Sequence, residues 1–264
     1  MRSAHIGPYA RQLATTYNEL TGRQLLHLVR LRQRPQPATA DELLQLLLQV
    51  PRRTFRQLNV VQRVELRPLV RFLQATEADV APLTAQLLPV LRAGLRRYHG
   101  PREAFRNLAF DEFIFADTYY LRYLQTGGAQ YLDQLVAVLY RPERAGYDPT
   151  AVSYQGDRRE DFNEHLVAAR VHAQRSLPAP AKQAVLLYYR GCRRLLEQRY
   201  DYVFTEATTT QASSSGWQEV LHELAGGVHQ LEVTAHQGLH NVLREMNRVL
   251  RLAEERAEAL RQNR

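Results

Sequence analysis

The chain is 264 residues long, 45% hydrophobic and 23% charged, with a formal net charge of +8. That apolar share fills a real core and excludes a disordered chain, and no uncharged apolar run approaches the roughly 20 residues of a membrane-spanning helix. The polar Met1–Leu20 segment lacks a signal-peptide core, and the single Cys192 cannot close an internal disulfide, so a reducing cytoplasm is expected.

Helical spacing governs most of the chain. Thr21 opens an apolar run through Leu25, Leu26, Leu28, Val29 and Leu31, and Gln24 is placed to close a capping box. Thr39 and Glu42 repeat the device before Leu43, Leu44, Leu46, Leu47 and Leu48, and Pro51 stops that run. Asn59 caps a third stretch expected to bury Val60, Val61, Val64, Leu69, Val70, Phe72 and Leu73, with a break or kink at Pro68. Pro82, Pro89 and Pro101 interrupt residues 77–106, where a helix near 83–97 and a loop through His99-Gly100-Pro101 are expected. An aromatic helix follows from Phe110 to Leu124, with Asp111 and Glu112 at the positive end of its dipole. Gly127-Gly128 turns the chain into a helix from Ala129 to Tyr140, ended by Pro142. Residues 141–160 read as a long loop, helices are expected near 161–175 and 179–199, and 205–216 is a Thr/Ser-rich linker.

Beyond the linker, Ser215 and Gln218 cap a short helix carrying Trp217, Val220, Leu221 and Leu224, ended by Gly226-Gly227. One long helix is then expected from Leu231 to about Gln262. Its apolar positions Ala235, Leu239, Val242, Met246, Val249, Ala253, Ala257 and Leu260 step mostly by alternating fours and threes, a coiled-coil-like seam. Such a seam either docks the helix on its own body or receives another helix, a second copy of the chain included. The expected fold class is all-α: a multi-helix body over 1–204, the linker, and a C-terminal helical hairpin over 217–264.

The search for chemistry returns little. No strand-to-Gly-rich-loop signature leads into Lys-Ser/Thr, so no phosphate cradle is expected. Cys192 lies on an apolar helix beside Arg193 and Arg194 and reads as a buried structural thiol rather than a nucleophile. Glu232, His236 and His240 follow at i, i+4 and i+8, and two histidines four apart can share a metal ion. Eight residues advance a helix by about 12 Å, so the three do not converge, and a solvated polar face is the plainer reading. No catalytic, cofactor or metal residue is assigned. Tyr140-Arg141-Pro142 reads as a helix end, and Asp157 in Gly156-Asp157-Arg158-Arg159 as half of an exposed ion pair worth under about 1 kcal/mol.

Charge is unevenly spread. Residues 1–110 carry 17 Arg against 7 acids, and residues 111–264 carry 18 basic against 20 acidic residues. Basic residues other than Lys182 are all Arg, and Ile occurs at Ile6 and Ile114 alone, so part of the arginine abundance is a GC-rich coding habit. Arg23, Arg30 and Arg34 nevertheless share one side of the first helix, and Arg52, Arg53 and Arg56 follow, as a phosphate-tracking face needs. The extended Gln-Arg-Pro-Gln-Pro connection argues against a helix-turn-helix.

The ordering of several motifs resembles a known group. They are Leu-Thr-Gly-Arg-Gln-Leu-Leu (20–26), Phe-Asp-Glu-Phe-Ile-Phe-Ala-Asp (110–117) and Leu-Asp-Gln-Leu-Val-Ala-Val-Leu-Tyr-Arg-Pro (132–142). Gly-Asp-Arg-Arg-Glu-Asp-Phe-Asn (156–163), Tyr-Tyr-Arg-Gly-Cys-Arg (188–193) and Tyr-Val-Phe (202–204) follow. Together they resemble a poorly characterised family of prophage proteins encoded in tail-module neighbourhoods. Gly-Trp-Gln-Glu-Val-Leu-His-Glu-Leu-Ala-Gly (216–226) and the long helix look like the C-terminal part of small phage tail assembly chaperones. The resemblance implies a non-enzymatic role in tail assembly within a bacterial host cell, binding a helical structural protein of the tape-measure kind. Trp217, Leu221 and Leu224 would then be the anchor, and Leu239, Val242, Met246 and Val249 the seam. The alternative expectation is a nucleic-acid-binding accessory protein using the N-terminal arginines.

Overall fold

In the computed structural model, the described residues are 2–6, 9–75, 80–151, 156–204, 217 and 231–262. They fall into two units: Met1–Leu87 with Ala179–Gly191, and Leu88–Pro178 with Cys192–Arg264. This partition differs from the expected body and hairpin, because the C-terminal helices share a unit with residues 88–178. The linker 205–216 and the anchor residues Leu221 and Leu224 lie outside the described residues.

The first unit opens on a feature that periodicity did not disclose. Strands β1 (Arg2–Ile6) and β2 (Tyr9–Leu13) form an antiparallel ribbon, with Arg2 opposite Leu13 and Ile6 opposite Tyr9. Helices α1 (Gly22–Arg32) and α2 (Ala40–Leu48) begin at Thr21 and Thr39, and both capping boxes are formed. Gln24 does more than close its box: its amide Nε2 also donates to the Leu46 and Leu47 carbonyls at 3.3 Å, tying α1 to the last turn of α2. Leu25, Leu28 and Leu31 on α1 and Leu43, Leu44 and Leu47 on α2 are buried together with Val70 and Leu73.

Helices α3 (Arg52–Gln57) and α4 (Val60–Leu66) follow Pro51 and the Asn59 cap. Pro68 ends the regular helix, replacing it with a 3-10 turn before the short α5 (Arg71–Gln74). The expected burial of the α4 valines is wrong, since Val60, Val61 and Val64 are 75%, 64% and 48% exposed. The physical reason is that α4 turns inward the side carrying Arg63 and Leu66, its two half-buried residues. Arg63 donates to the Leu58 carbonyl at 3.0 Å, pairs with Asp41 at 3.2 Å and lies over the Phe55 ring. Those bonds hold α4 by its Arg63 side and turn the valines outward.

The helix expected near 83–97 is also replaced. Residues 81–89 are irregular, and β3 (Val90–Ala93) pairs antiparallel with β4 (Arg96–His99) across a turn at Gly94-Leu95. Burial along β3 alternates, which is the period of a strand, and Gly94 adopts φ +60°, a conformation L side chains resist. Among the described residues helix dominates, and the two ribbons are the departure from all-α.

The second unit packs α6 (Phe110–Thr126) against α7 (Ala129–Leu139), then adds α8 (Val167–Ala173) and the Cys192–Arg199 end of α9 (Ala179–Arg199). Phe110, Phe113, Ile114 and Tyr120 on α6 and Leu132, Leu135, Val136 and Leu139 on α7 form its core. Gly127 ends α6 in the left-handed region at φ +64°. The long C-terminal helix is in fact two, α10 (Leu231–Ala235) and α11 (Leu239–Gln262), parted at His236-Gln237-Gly238. There the Phe110 N–H donates to the Gln237 carbonyl at 2.9 Å and the Leu239 N–H to the Leu108 carbonyl at 2.8 Å. These bonds to the entry of α6 take the place of helical ones.

Candidate functional site

Beside the entry of α6, the second unit holds a cleft of about 470 Å³ lined by Asp111, Glu112, Arg141, Arg144, Asp157 and His236. Glu112 is 1% exposed, the third residue of α6, amid the aromatic positions that bury this face. It receives Arg141 Nη1 at 2.9 Å and both terminal nitrogens of Arg159, Nη2 at 3.1 Å. Arg159 also donates from Nε and Nη2 to Asp157 at 3.0 and 2.8 Å, and to the Leu139 and Asn107 carbonyls. Burial works against the Arg159 charge, but Glu112 and Asp157 outweigh it and hold that guanidinium more firmly protonated than usual. Burial pushes Asp157 up, but its hydrogen bonds and charge contact with Arg159 prevail, so it titrates below the usual carboxylate range.

This cluster corrects two expectations. Arg141 is not a simple helix terminus: it is 2% exposed, bonded to Glu112 and to the Glu160 carbonyl at 2.8 Å. Asp157 and Arg159 are not an exposed pair, since Arg159 is 1% exposed. Arg141 and His99 exchange backbone bonds at 2.7 and 3.1 Å, and Arg144 and Glu160 bond across to Arg158 and Pro142 at 2.9 Å. The charge cluster therefore braces the loop 156–161, the end of α7 and the start of α6 as one piece.

Asp111 is the titratable member at the cleft wall. Burial raises its carboxyl to about 6, against the opposing pull of a backbone hydrogen bond from Glu112 and of nearby His236. Its Oδ2 lies 3.3 Å from His236 Nδ1, so the pair clasps the 236–239 segment to α6. His236 and His240 turn to different partners. His240, on α11, contacts the Tyr200 hydroxyl through Nδ1 at 3.0 Å and donates from Nε2 to the Ala104 carbonyl at 2.8 Å. Among the described residues no group of three His, Cys, Asp or Glu side chains is arranged to hold a metal ion, and Cys192 is buried.

A second buried charge explains Trp217. Asp117 is fully buried on α6, accepts from Arg193 Nε at 2.6 Å and from Trp217 Nε1 at 3.1 Å. Trp217 is 3% exposed and meets Phe113, Phe204 and Phe110 edge-on, at ring centroid distances of 5.3, 5.7 and 6.0 Å. It is a core residue of its own unit rather than an exposed anchor. The expected seam divides likewise: Leu239, Val242 and Met246 are buried at 0%, 5% and 6%, while Val249 is 47% exposed. Docking ends at Met246, and the rest of α11 keeps an apolar stripe in the open.

The N-terminal arginines do come to the surface. Arg23, Arg30, Arg34, Arg52, Arg53 and Arg56 are all exposed in the first unit, although Arg34 is paired with Glu42 at 2.7 Å. His27, on the same side of α1, titrates low because of burial and then because Arg34 and Arg30 crowd it. Sequence reasoning missed Glu112, Asp117, Arg141, Asp157, Arg159 and Arg193 as a set. Their partners lie far apart in the chain, and the readable signal was a pair of acids, at 112 and 117, inside an aromatic helical pattern. Among the described residues no helix is long and apolar enough to cross a membrane. No family model, curated protein or solved structure matches the chain.

Proposed function

We propose that the protein is a non-enzymatic assembly factor that binds another helical protein, in the setting of phage or prophage tail morphogenesis that its motifs resemble. The observation that supports this reading best is α11. Its first two turns are buried through Leu239, Val242, Leu243 and Met246, whereas Val249, Leu250 and Leu260 are exposed. Its charged side carries two local ion pairs, Arg248 bonded to Glu245 at 3.0 Å and Arg251 near Glu255 at 3.6 Å. An amphipathic helix with its apolar side uncovered is the form in which one helix receives another. The buried charge clusters serve this role by fixing the unit that carries α11.

The test is affinity capture from producing cells after nuclease treatment, with the retained proteins identified by mass. A long helical phage structural protein is the expected partner, lost when Val249 and Leu260 are replaced by Asp. Because Leu239 and Met246 are buried, substituting them would unseat the helix itself and test nothing. Disappearance of all bound material on nuclease treatment favours nucleic acid, for which the exposed Arg23, Arg30, Arg52, Arg53 and Arg56 are the supporting observation.

A further inference from the structure

We propose that the α3–α4 face of the first unit is a docking surface for an acidic amphipathic helix of a partner protein. Val60, Val61 and Val64 are exposed and lie within about 100° of one another around α4, at 100° per residue. Exposed valines side by side on a seven-residue helix are an apolar patch with nothing among the described residues covering it. The helices and turn that carry and flank it also bear Arg52, Arg53, Arg56, Arg67 and Arg71, all exposed and none ion-paired among the described residues. Between residues 52 and 71 Glu65 is the one acidic residue against six arginines, and the sixth, Arg63, is the one engaged with Asp41.

This combination selects its occupant. A phosphate backbone would use the arginines but gains nothing from three valines, which offer no aromatic face for bases to stack on. An anionic membrane surface is better served by a long helix with Leu, Phe or Trp than by two short helices with Val. An amphipathic helix with carboxylates beside its apolar stripe uses both parts, laying aliphatic side chains on the valines and acids against the arginines. The inference deepens the assembly reading by giving a second surface and its partner chemistry. It is tested on residues other than those of α11, so the two can fail separately.

The experiment uses the full chain and a labelled synthetic peptide of about 18 residues, five helical turns, with Leu at i, i+3, i+4 and i+7 and Glu flanking them. Binding is read by fluorescence anisotropy against two controls, an isomer with the same composition but scattered leucines, and a DNA duplex of about 20 base pairs. The amphipathic peptide is expected to bind at least roughly tenfold more tightly than either control. Replacing Val60, Val61 and Val64 by Ser should weaken it about tenfold while leaving the salt dependence. Arg67→Gln with Arg71→Gln should weaken it and flatten the salt dependence. The serine variants alter exposed positions, so an unchanged thermal melt confirms that folding is not the cause. Equal or tighter binding of DNA or of the scattered isomer, no binding of the amphipathic peptide, or indifference to the valine substitutions overturns the proposal.

Discussion

Arg159 and Glu112 lie 47 positions apart and meet as a two-toothed ion pair with each side chain 1% exposed. Removing one partner of such a pair leaves a buried charge with part of its compensation gone, a cost of about 3–5 kcal/mol. Glu112→Gln should therefore lower unfolding stability by about 3 kcal/mol in urea titration. Arg159→Lys should also destabilise, because an ammonium cannot reproduce the fork that spans Glu112, Asp157 and two carbonyls. A loss below about 1 kcal/mol in Glu112→Gln would show that the cluster is not the brace described here.

Gly191 gives the second prediction. On an open helical position Gly→Ala gains about 1 kcal/mol. A Cβ at Gly191 would instead stand 2.1 Å from the Leu83 carbonyl oxygen and 2.7 Å from the Leu83 nitrogen. Both neighbours are backbone, held in place as Asn18 Oδ1 accepts from the Thr84 and Ala85 N–H groups at 2.7 and 2.9 Å. Gly191→Ala should cost about 1–3 kcal/mol, and a variant that melts higher than the parent would refute this packing.

The third concerns acid. Asp111 in the folded chain takes up its proton near pH 6, against an ordinary value of 3.8, so its contribution to stability grows as pH falls from about 6 to 4 and is lost on the way up. His240 works in the other direction. Burial holds it below 6.5, so its contribution is full above that value and shrinks as pH falls through it. Asp111→Asn should remove the gain on acidification, and His240→Gln should remove the loss. Amide protection of Phe110 and Leu239, whose N–H groups clamp the 236–239 segment, reports the balance.

A smaller effect is expected at the end of α2, where Gln49 occupies the left-handed region at φ 49°. Gln49→Gly should raise stability by about 0.5–1 kcal/mol, as read from the thermal midpoint.

Local rules made part of this fold legible and left the rest opaque. The boxes at Thr21 and Thr39, the Asn59 cap and the stop at Pro68 are short-range devices, and each is found where its residues stand. The β3–β4 ribbon was hidden because Leu87, Leu91, Leu95 and Tyr98 step by fours and threes and so satisfy a helical count, and only the turn at Gly94 separates the readings. The break at Gln237-Gly238 was invisible for a different reason. Its hydrogen bonds go to Leu108 and Phe110, more than 120 positions away. Arg141, Asp157 and Arg159 looked like surface residues because burial of charge depends on partners that spacing does not reveal. The outward turn of Val60, Val61 and Val64 likewise follows from Arg63 and Asp41, a pair no periodicity contains.

The central claim is that the second half of α11 is an uncovered helix awaiting a partner helix, and hydrogen exchange across residues 247–262 tests it most directly. In the isolated protein these amides should exchange fast, while those of Val242, Leu243 and Met246 stay protected by burial. With the captured partner added, protection of 247–262 should rise by roughly tenfold or more, and Val249→Asp with Leu260→Asp should abolish the rise. Unchanged exchange over 247–262 in the presence of the bound partner would contradict the account.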